Sequence, residues 1–140
     1  MKLRGLVRGF LRFGFAFLLL ATGLGKLWDI PGFVEVVNDY DVLPQVLALP
    51  AALSMIISEI ALSAWLLSGR RPKMAALITG ALHLVFMAWV GLALYRGLDI
   101  ENCGCFGVFL ARPRTHWTFF QDFIMSGLSF VLYFLEVKRR

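Results

Sequence analysis

Charged side chains are scarce in this chain of 140 residues: Asp, Glu, Lys and Arg make up 16% of it, whereas apolar residues make up 59%. Soluble domains carry roughly 25% charged and 45–50% apolar residues. A globule this small cannot hide so many apolar side chains without exposing large apolar patches. The composition therefore excludes an ordinary water-soluble single domain and indicates a protein whose solvent is the lipid bilayer.

Cysteine is also scarce, and the two present are too few for a disulfide scaffold. The 13 glycines follow no period, which excludes a collagen-like chain, and the aromatic content of 14% excludes a disordered one. A net charge of +5 would suggest nucleic-acid binding in a soluble protein, but here the basic residues flank apolar runs. We expect no nucleic-acid partner. The chain has no internal repeat, linker or low-complexity tract, so we predict one transmembrane domain over 1–140.

Four apolar runs are long enough to cross a bilayer, which takes about 20 residues. They cover residues 6–25, 47–67, 74–95 and 117–137. The sequence thus predicts an all-α, polytopic membrane protein built as a bundle of four transmembrane helices. The first run also has features of a cleavable signal peptide. Its removal would leave an unpaired apolar face on the other three helices, so we expect it to be retained.

The basic residues are distributed unevenly over the connections. Ten lie at the two termini and in the turn 68–73, against four in the remaining connections, 26–46 and 96–116. Because Lys and Arg are retained in the cytoplasm, this predicts a multi-pass protein of the bacterial inner membrane with both termini cytoplasmic and the two long loops periplasmic. Residues 31–42 combine apolar and acidic side chains as a short amphipathic helix on the outer surface would, and Pro44 ends it.

The strongest local signal is a pair of cysteines in the second periplasmic loop, Cys103 and Cys105, separated by Gly104. Such a pair can close a small disulfide ring, and the glycine supplies the unusual backbone angles that the ring requires. A strained ring is comparatively oxidising and adds little stability. The spacing therefore favours disulfide exchange with an external partner, with Phe106 and Gly107 as supporting loop residues. We expect Cys103 to attack and Cys105 to resolve the mixed disulfide.

Two other interpretations of the cysteines stay open. They can be two ordinary thiols, or a static bridge that shapes the loop, in a non-catalytic membrane assembly factor. They can also join His116 at a metal, but a zinc site needs at least three protein ligands and usually four. No further Cys or His lies in the predicted periplasmic loops. We therefore expect no metal site.

Ionisable residues within the predicted spans form the second signal, because a charge at the bilayer centre costs at least ~2.5 kcal/mol. Glu59 and His83 lie near the middle of their spans. They either form a hydrogen-bonded, proton-sharing pair, or Glu59 is protonated or bonds to Thr79 or the backbone while His83 is a packed core residue. Lys26 and Asp122 lie near the periplasmic helix ends. They either steer thiolate chemistry or anchor the helices at the interface.

Aromatic residues are dense around the cysteine loop, and either an interfacial belt or a quinone site would use them. A quinone-linked oxidoreductase subunit is therefore a further alternative, with quinone as cofactor and Glu59 and His83 handling protons. The exposed stretch Arg112-Pro113-Arg114 is basic and suits contact with lipid phosphate.

Several motifs together carry a family resemblance. They are Gly25-Lys26-Leu27 after the first span, the segment Phe33 to Tyr40 followed by Leu43-Pro44, Glu59 with Leu66-Leu67-Ser68-Gly69, and the most specific, Cys103-Gly104-Cys105-Phe106-Gly107. With these the chain resembles the MauE/DoxX family of small four-helix membrane proteins from Phe15 to Leu135, and is closer to the MauE branch.

The resemblance implies an inner-membrane protein that assists periplasmic redox maturation. MauE-like proteins are linked to methylamine utilisation, where maturation of the disulfide-rich small subunit of methylamine dehydrogenase involves a thioredoxin-like partner. By analogy, Cys103 and Cys105 would exchange disulfides with such a partner or with a substrate protein, as a thiol-disulfide oxidoreductase does. DoxX-like relatives are associated with quinone-linked thiol oxidation. Membrane oxidases that relay electrons to quinone can use two cysteine pairs, whereas this chain has one.

Overall fold

The computed structural model describes residues 2–99, 101–102, 104 and 116–138. All regular structure in these ranges is helical: α1 Lys2–Trp28, α2 Ile30–Asp39, α3 Gln45–Ser68, α4 Pro72–Tyr95 and α5 His116–Val137. Four of the helices, α1, α3, α4 and α5, are long and apolar enough to cross a membrane. The predicted all-α fold with four long apolar helices and one short helix is confirmed.

The short helix α2 begins where its sequence supplies a cap. The carboxylate of Asp29 accepts a hydrogen bond from the backbone N–H of Gly32 at 3.0 Å, and Pro31 occupies the first turn. The apolar face of α2, formed by Phe33, Val36 and Val37, is buried. This face packs mainly against α3, so α2 closes one end of the bundle and its apolar side points inward.

Small residues let α1 approach α3 closely. A Cβ atom added to Gly23 would lie 2.8 Å from the Cγ1 atom of Ile60, so only glycine fits there without a shift. Further along the same interface, the hydroxyl of Ser63 on α3 donates to the backbone carbonyl of Ala16 on α1 at 2.6 Å. Close backbone approach and hydrogen bonds between helices are how membrane helices associate. These contacts hold α1 and α3 in a defined rotation.

The helices α4 and α5 pair in the same way. Gly80 faces Ser129 and Phe130, each 3.3 Å from the position of an added Cβ atom, and the hydroxyl of Ser126 lies 3.3 Å from the Gly80 carbonyl. The contacts of α4 with α5 and of α1 with α3 are more extensive than those between the two pairs. The bundle therefore consists of two tightly packed helix pairs in looser contact.

Two arginines of α1 tie together the end of the bundle where α1 begins. Arg12 donates to the carbonyl oxygens of Leu66 and Leu67 in the last turn of α3, at 2.8 and 3.3 Å. Arg8 lies 3.6 Å from the buried carboxylate of Glu136 near the end of α5. Arg12 thus satisfies helix-terminal carbonyls, and Arg8 places a positive charge close to the buried carboxylate of Glu136.

Buried apolar residues form two clusters, one near each end of the bundle. The first contains Phe33, Val36, Val37, Tyr40, Ala48, Ala52, Ile56, Val90 and Ala93, and the second contains Phe15, Ala16, Leu19, Leu62, Leu66, Ala75, Ala76 and Leu132. Many large apolar side chains are exposed on the outside of the helices, as suits a protein surrounded by lipid. The ionisable residues Lys26, Glu59 and His83 lie in the helix segments between the two clusters.

Candidate functional site in the bundle interior

A cavity of about 90 Å³ lies inside the bundle. A single buried water needs roughly 10–15 Å³ measured in the same way, so the cavity holds several waters or a small ring. Every helix contributes to its lining, and the lining contains four ionisable residues: Lys26, Glu59, His83 and Asp122. The structure therefore brings to one place the four polar residues that the sequence singles out in or near the spans.

Lys26 and Glu59 form a buried ion pair in the lining of this cavity. The Nζ atom of Lys26 lies 2.5 Å from the Oε1 atom of Glu59, and their side chains are 3% and 2% exposed. The ammonium group also lies over two aromatic rings, 5.4 Å from the centre of Phe33 and 5.3 Å from that of Phe86. Charge pairing and the negative ring faces together offset part of the cost of burying Lys26.

The second carboxylate oxygen of Glu59, Oε2, is buried and makes no hydrogen bond to any residue the structure describes. The hydroxyl of Thr22, another cavity residue beside Glu59, donates to the carbonyl of Leu19 at 3.1 Å. An unpaired carboxylate oxygen in a buried site is costly. This oxygen is consequently available to a ligand or to water inside the cavity.

His83 is held by its own helix. Its Nδ1 atom lies 2.9 Å from the backbone carbonyl oxygen of Thr79. A carbonyl can only accept, so Nδ1 carries a hydrogen, and in the neutral ring this leaves Nε2 as an acceptor. The ring also meets Phe15 and Phe86 edge-on, with centroid distances of 5.8 and 6.3 Å.

The structure gives Glu59 a partner that neither interpretation of Glu59 and His83 named. Glu59 bonds to Lys26, and within the described ranges it forms no pair with His83. Thr79 is not its partner either, because the Thr79 hydroxyl donates to the carbonyl of Ala75 at 2.8 Å. The carboxylate of Glu59 is directed toward Lys26 of α1, and His83 bonds within its own helix.

Lys26 and Asp122 are not interfacial anchors, since they are only 3% and 9% exposed. Helix α1 continues to Trp28, so Lys26 lies within its last turn and its side chain points into the bundle. By contrast, Trp28 and Tyr95 near this end are 81% and 90% exposed. These two suit an interfacial belt, whereas Trp89 lines the cavity.

Gly104 connects the cysteine motif to the cavity. It is buried, its φ angle is +75°, and its N–H donates to the Oδ1 atom of Asn102 at 2.9 Å. A Cβ atom added here would lie 2.7 Å from the Cγ1 atom of Val36 and 3.2 Å from the ring of Phe33. Only glycine therefore fits this left-handed position against α2.

Gly104 also lines the same cavity as Lys26 and Glu59. The remaining residues of the predicted loop site lie outside the described residues. They are Cys103, Cys105, Phe106, Gly107, Arg112 and Arg114.

Some cavity residues carry only a weak signal in the sequence. Thr22 precedes Lys26 by one helical turn, and Gln121 is a polar residue beside Asp122 in an otherwise apolar helix. Each lies one turn from, or next to, an ionisable residue, and this position is what indicates in the sequence that they line the same cavity. Glu136 gives less indication of burial, since it lies beside a basic C-terminus, yet it is 3% exposed.

The chain matches a known protein family over nearly its whole length. The family model described as methylamine utilisation protein MauE matches residues 4–135, which include every residue that lines the cavity and the cysteine motif. The chain belongs to the MauE family. The methylamine utilization protein MauE of Paracoccus denitrificans is 30% identical over 122 residues, which are 87% of this chain and 66% of that relative.

This MauE-family chain thus spans just under two thirds of the length of the curated relative. No solved structure matches it. Family membership confirms the resemblance inferred from the motifs. It also agrees with a multi-pass membrane protein, as the four apolar helices do.

Proposed function

We propose that this chain is a membrane thiol-disulfide redox protein that assists maturation of a disulfide-containing protein in methylamine utilisation. The main support is the docking of Gly104. The residue between the only two cysteines is buried against α2 and lines the polar cavity of the bundle. The name of the Paracoccus relative supports the link to methylamine utilisation. The partner is a thioredoxin-like protein or the maturing protein itself.

The proposed chemistry is two successive thiol-disulfide exchanges. A thiolate of the partner attacks one sulfur of the Cys103–Cys105 disulfide, which breaks that bond, forms a mixed disulfide and releases the other cysteine as a thiolate. A second thiolate of the partner then displaces the bound cysteine. The partner gains a disulfide, and Cys103 and Cys105 are left as two thiols.

We further propose that the chain lies in the bacterial inner membrane with both termini in the cytoplasm and the cysteine loop in the periplasm. Support comes from the ten basic residues at the termini and in the turn 68–73. The periplasm is the compartment in which disulfides form and persist. The cysteines and an oxidised partner would then share one compartment.

The first experiment is a redox titration of the purified, detergent-solubilised protein, in which free thiols are tagged with a maleimide across a dithiothreitol or glutathione series. We expect a reversible two-electron transition above about −270 mV, in the range of exchange catalysts. A bond that resists reduction below about −300 mV would be structural and would overturn the redox proposal. Thiols that never pair would overturn it as well.

A second experiment captures the partner. In the Cys105→Ser variant the lone Cys103 thiolate can attack the disulfide of an oxidised partner, which is the reverse of the second exchange, and the chain has no second thiol to resolve the product. Mixed disulfides with periplasmic proteins should therefore accumulate after acid quenching and alkylation. The matched control carries both Cys103→Ser and Cys105→Ser and should trap nothing. If this double variant supports growth on methylamine as well as the unaltered chain does, the cysteines are dispensable and the protein is a non-catalytic assembly factor.

A further inference from the structure

We propose that an outer groove between α3 and α4 binds one acyl chain of an anionic phospholipid, whose phosphate binds the basic turn 68–73 at the end of the groove. No residue of the outer groove lines the interior cavity or belongs to the cysteine motif. The inference is therefore independent of the redox function proposed above. The walls of the outer groove include Ser58, Ala61 and Trp65 of α3 and Ile78, Ala81 and Val85 of α4.

The outer groove exists because α3 and α4 pack loosely on each other. One short turn joins them, yet their mutual contacts are less extensive than those of α3 with α1 and of α4 with α5. The space left between them is about 330 Å³. Ala61, Ile78, Ala81 and Val85 are exposed, so this space opens to the outside of the bundle. Both helices are long and apolar enough to cross a membrane, so the outer groove faces lipid.

The length of the outer groove suits an acyl chain. Trp65 lies in the last turn of α3, and Ser58 lies about two turns earlier. At 1.5 Å per residue this wall spans about 10 Å, and one leaflet of hydrocarbon is about 15 Å thick. An acyl chain that enters beside the turn can therefore follow the outer groove through most of its leaflet.

The basic turn supplies the charge that a phosphate needs. Arg70 and Arg71 are exposed, and Lys73 is partly exposed. Residues 60–98, which cover the turn and most of both helices, contain no Asp or Glu. Arginine side chains bind phosphate through paired N–H donors, and basic residues at a membrane surface attract anionic lipids. The charge therefore favours an anionic phospholipid over a zwitterionic one.

Trp65 places the basic turn directly at the outer groove. Its ring lines the groove, and its indole N–H donates to the backbone carbonyl of Arg70 at 2.6 Å. The turn is held further by the backbone N–H of Arg70, which donates to the hydroxyl of Ser68 at 3.3 Å. Tryptophan commonly lies where hydrocarbon meets the polar headgroups, because it has an apolar ring and one donor. The acyl-chain site and the phosphate site are consequently adjacent.

The same charge disfavours a second copy of the chain as the occupant. In a symmetric dimer the same surface patch of both copies meets. A dimer packed through the outer groove would bring two basic turns together at one membrane surface, where their like charges repel. A lipid phosphate would instead neutralise the turn.

The test is photolabelling of the full chain in phosphatidylcholine nanodiscs that contain a small fraction of phosphatidylglycerol with a diazirine in one acyl chain. Mass spectrometry locates the label. We expect it on peptides that contain residues 58–65 and 78–85. Unlabelled phosphatidylglycerol should compete, whereas added phosphatidylcholine with the same acyl chains should not.

Two pairs of variants separate the headgroup from the acyl chain. The double variant Arg70→Gln, Arg71→Gln should give at least roughly fivefold less label, the effect expected for one basic residue at a membrane surface. Its control is Lys2→Gln with Arg4→Gln, which removes two exposed basic residues at the start of α1 and should leave the yield unchanged.

The second pair tests the space itself. Ala81→Phe fills the outer groove and should lower the yield to a similar extent. Ala88→Phe, two turns further along α4 and outside the groove lining, should not. If Ala81→Phe does not elute as a folded, monodisperse protein, Ala61→Phe fills the groove from the facing helix.

Three results would overturn the lipid site. Equal competition by both lipids would show that the turn does not select an anionic headgroup. Equal labelling of the Ala81→Phe and Ala88→Phe variants would show that the label comes from bulk lipid. A dimeric mass by light scattering that Ala81→Phe converts to a monomeric one would assign the outer groove to a second copy of the chain.

Discussion

Lys26 illustrates at the scale of a residue how a charge is accommodated within an apolar bundle. Its ammonium group pairs with the carboxylate of Glu59 and lies over the rings of Phe33 and Phe86, and the side chain is almost fully buried. A buried ion pair adds little stability by itself, but removing one member leaves the other as an uncompensated charge. The pair is therefore best tested by comparing single with double substitutions.

We expect Lys26→Met to destabilise the protein by about 3–5 kcal/mol, because Glu59 would be left buried without its cation. Lys26→Met combined with Glu59→Gln should recover most of this loss, since no net charge is then buried. Thermal unfolding in detergent measures the effect, with the exposed Lys2→Met as control. Equal destabilisation by the single and the double variant would show that the pair does not act as a unit.

Gly104 occupies a position with no room for a side chain. Gly97 has a similar backbone conformation and serves as the comparison. Gly97 also has a positive φ angle, +67°, but an added Cβ atom there would meet nothing within 4 Å. At Gly104, with φ +75°, the added atom would lie 2.7 Å from Val36. The two sites share the backbone strain and differ in the available space.

We therefore expect Gly104→Ala to displace the cysteine segment from α2 and to change the rate at which the two thiols react with a maleimide several-fold, whereas Gly97→Ala should not. Adding Val36→Ala to Gly104→Ala creates room for the new methyl group and should restore part of the original rate. Stopped-flow alkylation of the reduced protein measures this. Identical rates in both glycine variants would contradict a packed position for Gly104.

At the scale of an element, α2 is the helix on which the proposed site most depends. It has only ten residues, too few to be stable alone in water, so its order comes from packing and from its cap. Asp29 supplies the cap, and the buried face supplies Phe33 and Val36, which contact the cysteine motif at Gly104. Loosening α2 would open one wall of the cavity.

Replacing Asp29 by Ala should destabilise α2 locally by about 1 kcal/mol, because the N–H of Gly32 loses its acceptor. Hydrogen exchange of residues 30–39 should then be roughly fivefold faster, as that free energy implies. The control is Asp39→Ala at the other end of α2, where a negative charge opposes the helix dipole, so exchange there should slow or stay unchanged. Faster exchange in both variants would show that the cap has no specific effect.

At the scale of the whole molecule, two tight helix pairs meet around a polar layer. The pair α1–α3 contributes Lys26 and Glu59, and the pair α4–α5 contributes His83 and Asp122. Contacts between the pairs are sparser, so the cavity lies where the bundle is least constrained. A ligand that bridges both pairs would therefore also hold them together.

The orientation of the whole bundle can be tested with single cysteines introduced into the chain that carries Cys103→Ser and Cys105→Ser. We expect Glu101→Cys to react with a membrane-impermeant maleimide in spheroplasts, because its loop is proposed to be periplasmic. Ser68→Cys, in the basic turn, should react only after the membrane is permeabilised. The opposite pattern would invert the proposed topology and place the cysteine motif in a reducing compartment.

The amino-acid sequence by itself determined the class of protein and its long elements. Apolar run length, helical periodicity and the cap residues are local properties, so four long helices and the amphipathic α2 follow from them. The family also follows from local motifs, because Cys103-Gly104-Cys105-Phe106-Gly107 and its companions are contiguous stretches. The ionisable residues stand out for the same reason, since each interrupts an apolar run.

Only the tertiary structure decided which of these residues meet. Glu59 bonds to Lys26, 33 positions earlier in the chain, because Gly23 lets α1 approach α3 at that level and fixes the rotation of both helices. Hydropathy does not specify helix rotation, which packing sets. For the same reason, the sequence does not show the shared cavity or the inward orientation of the apolar face of α2. It also does not show that Gly104 packs against Val36.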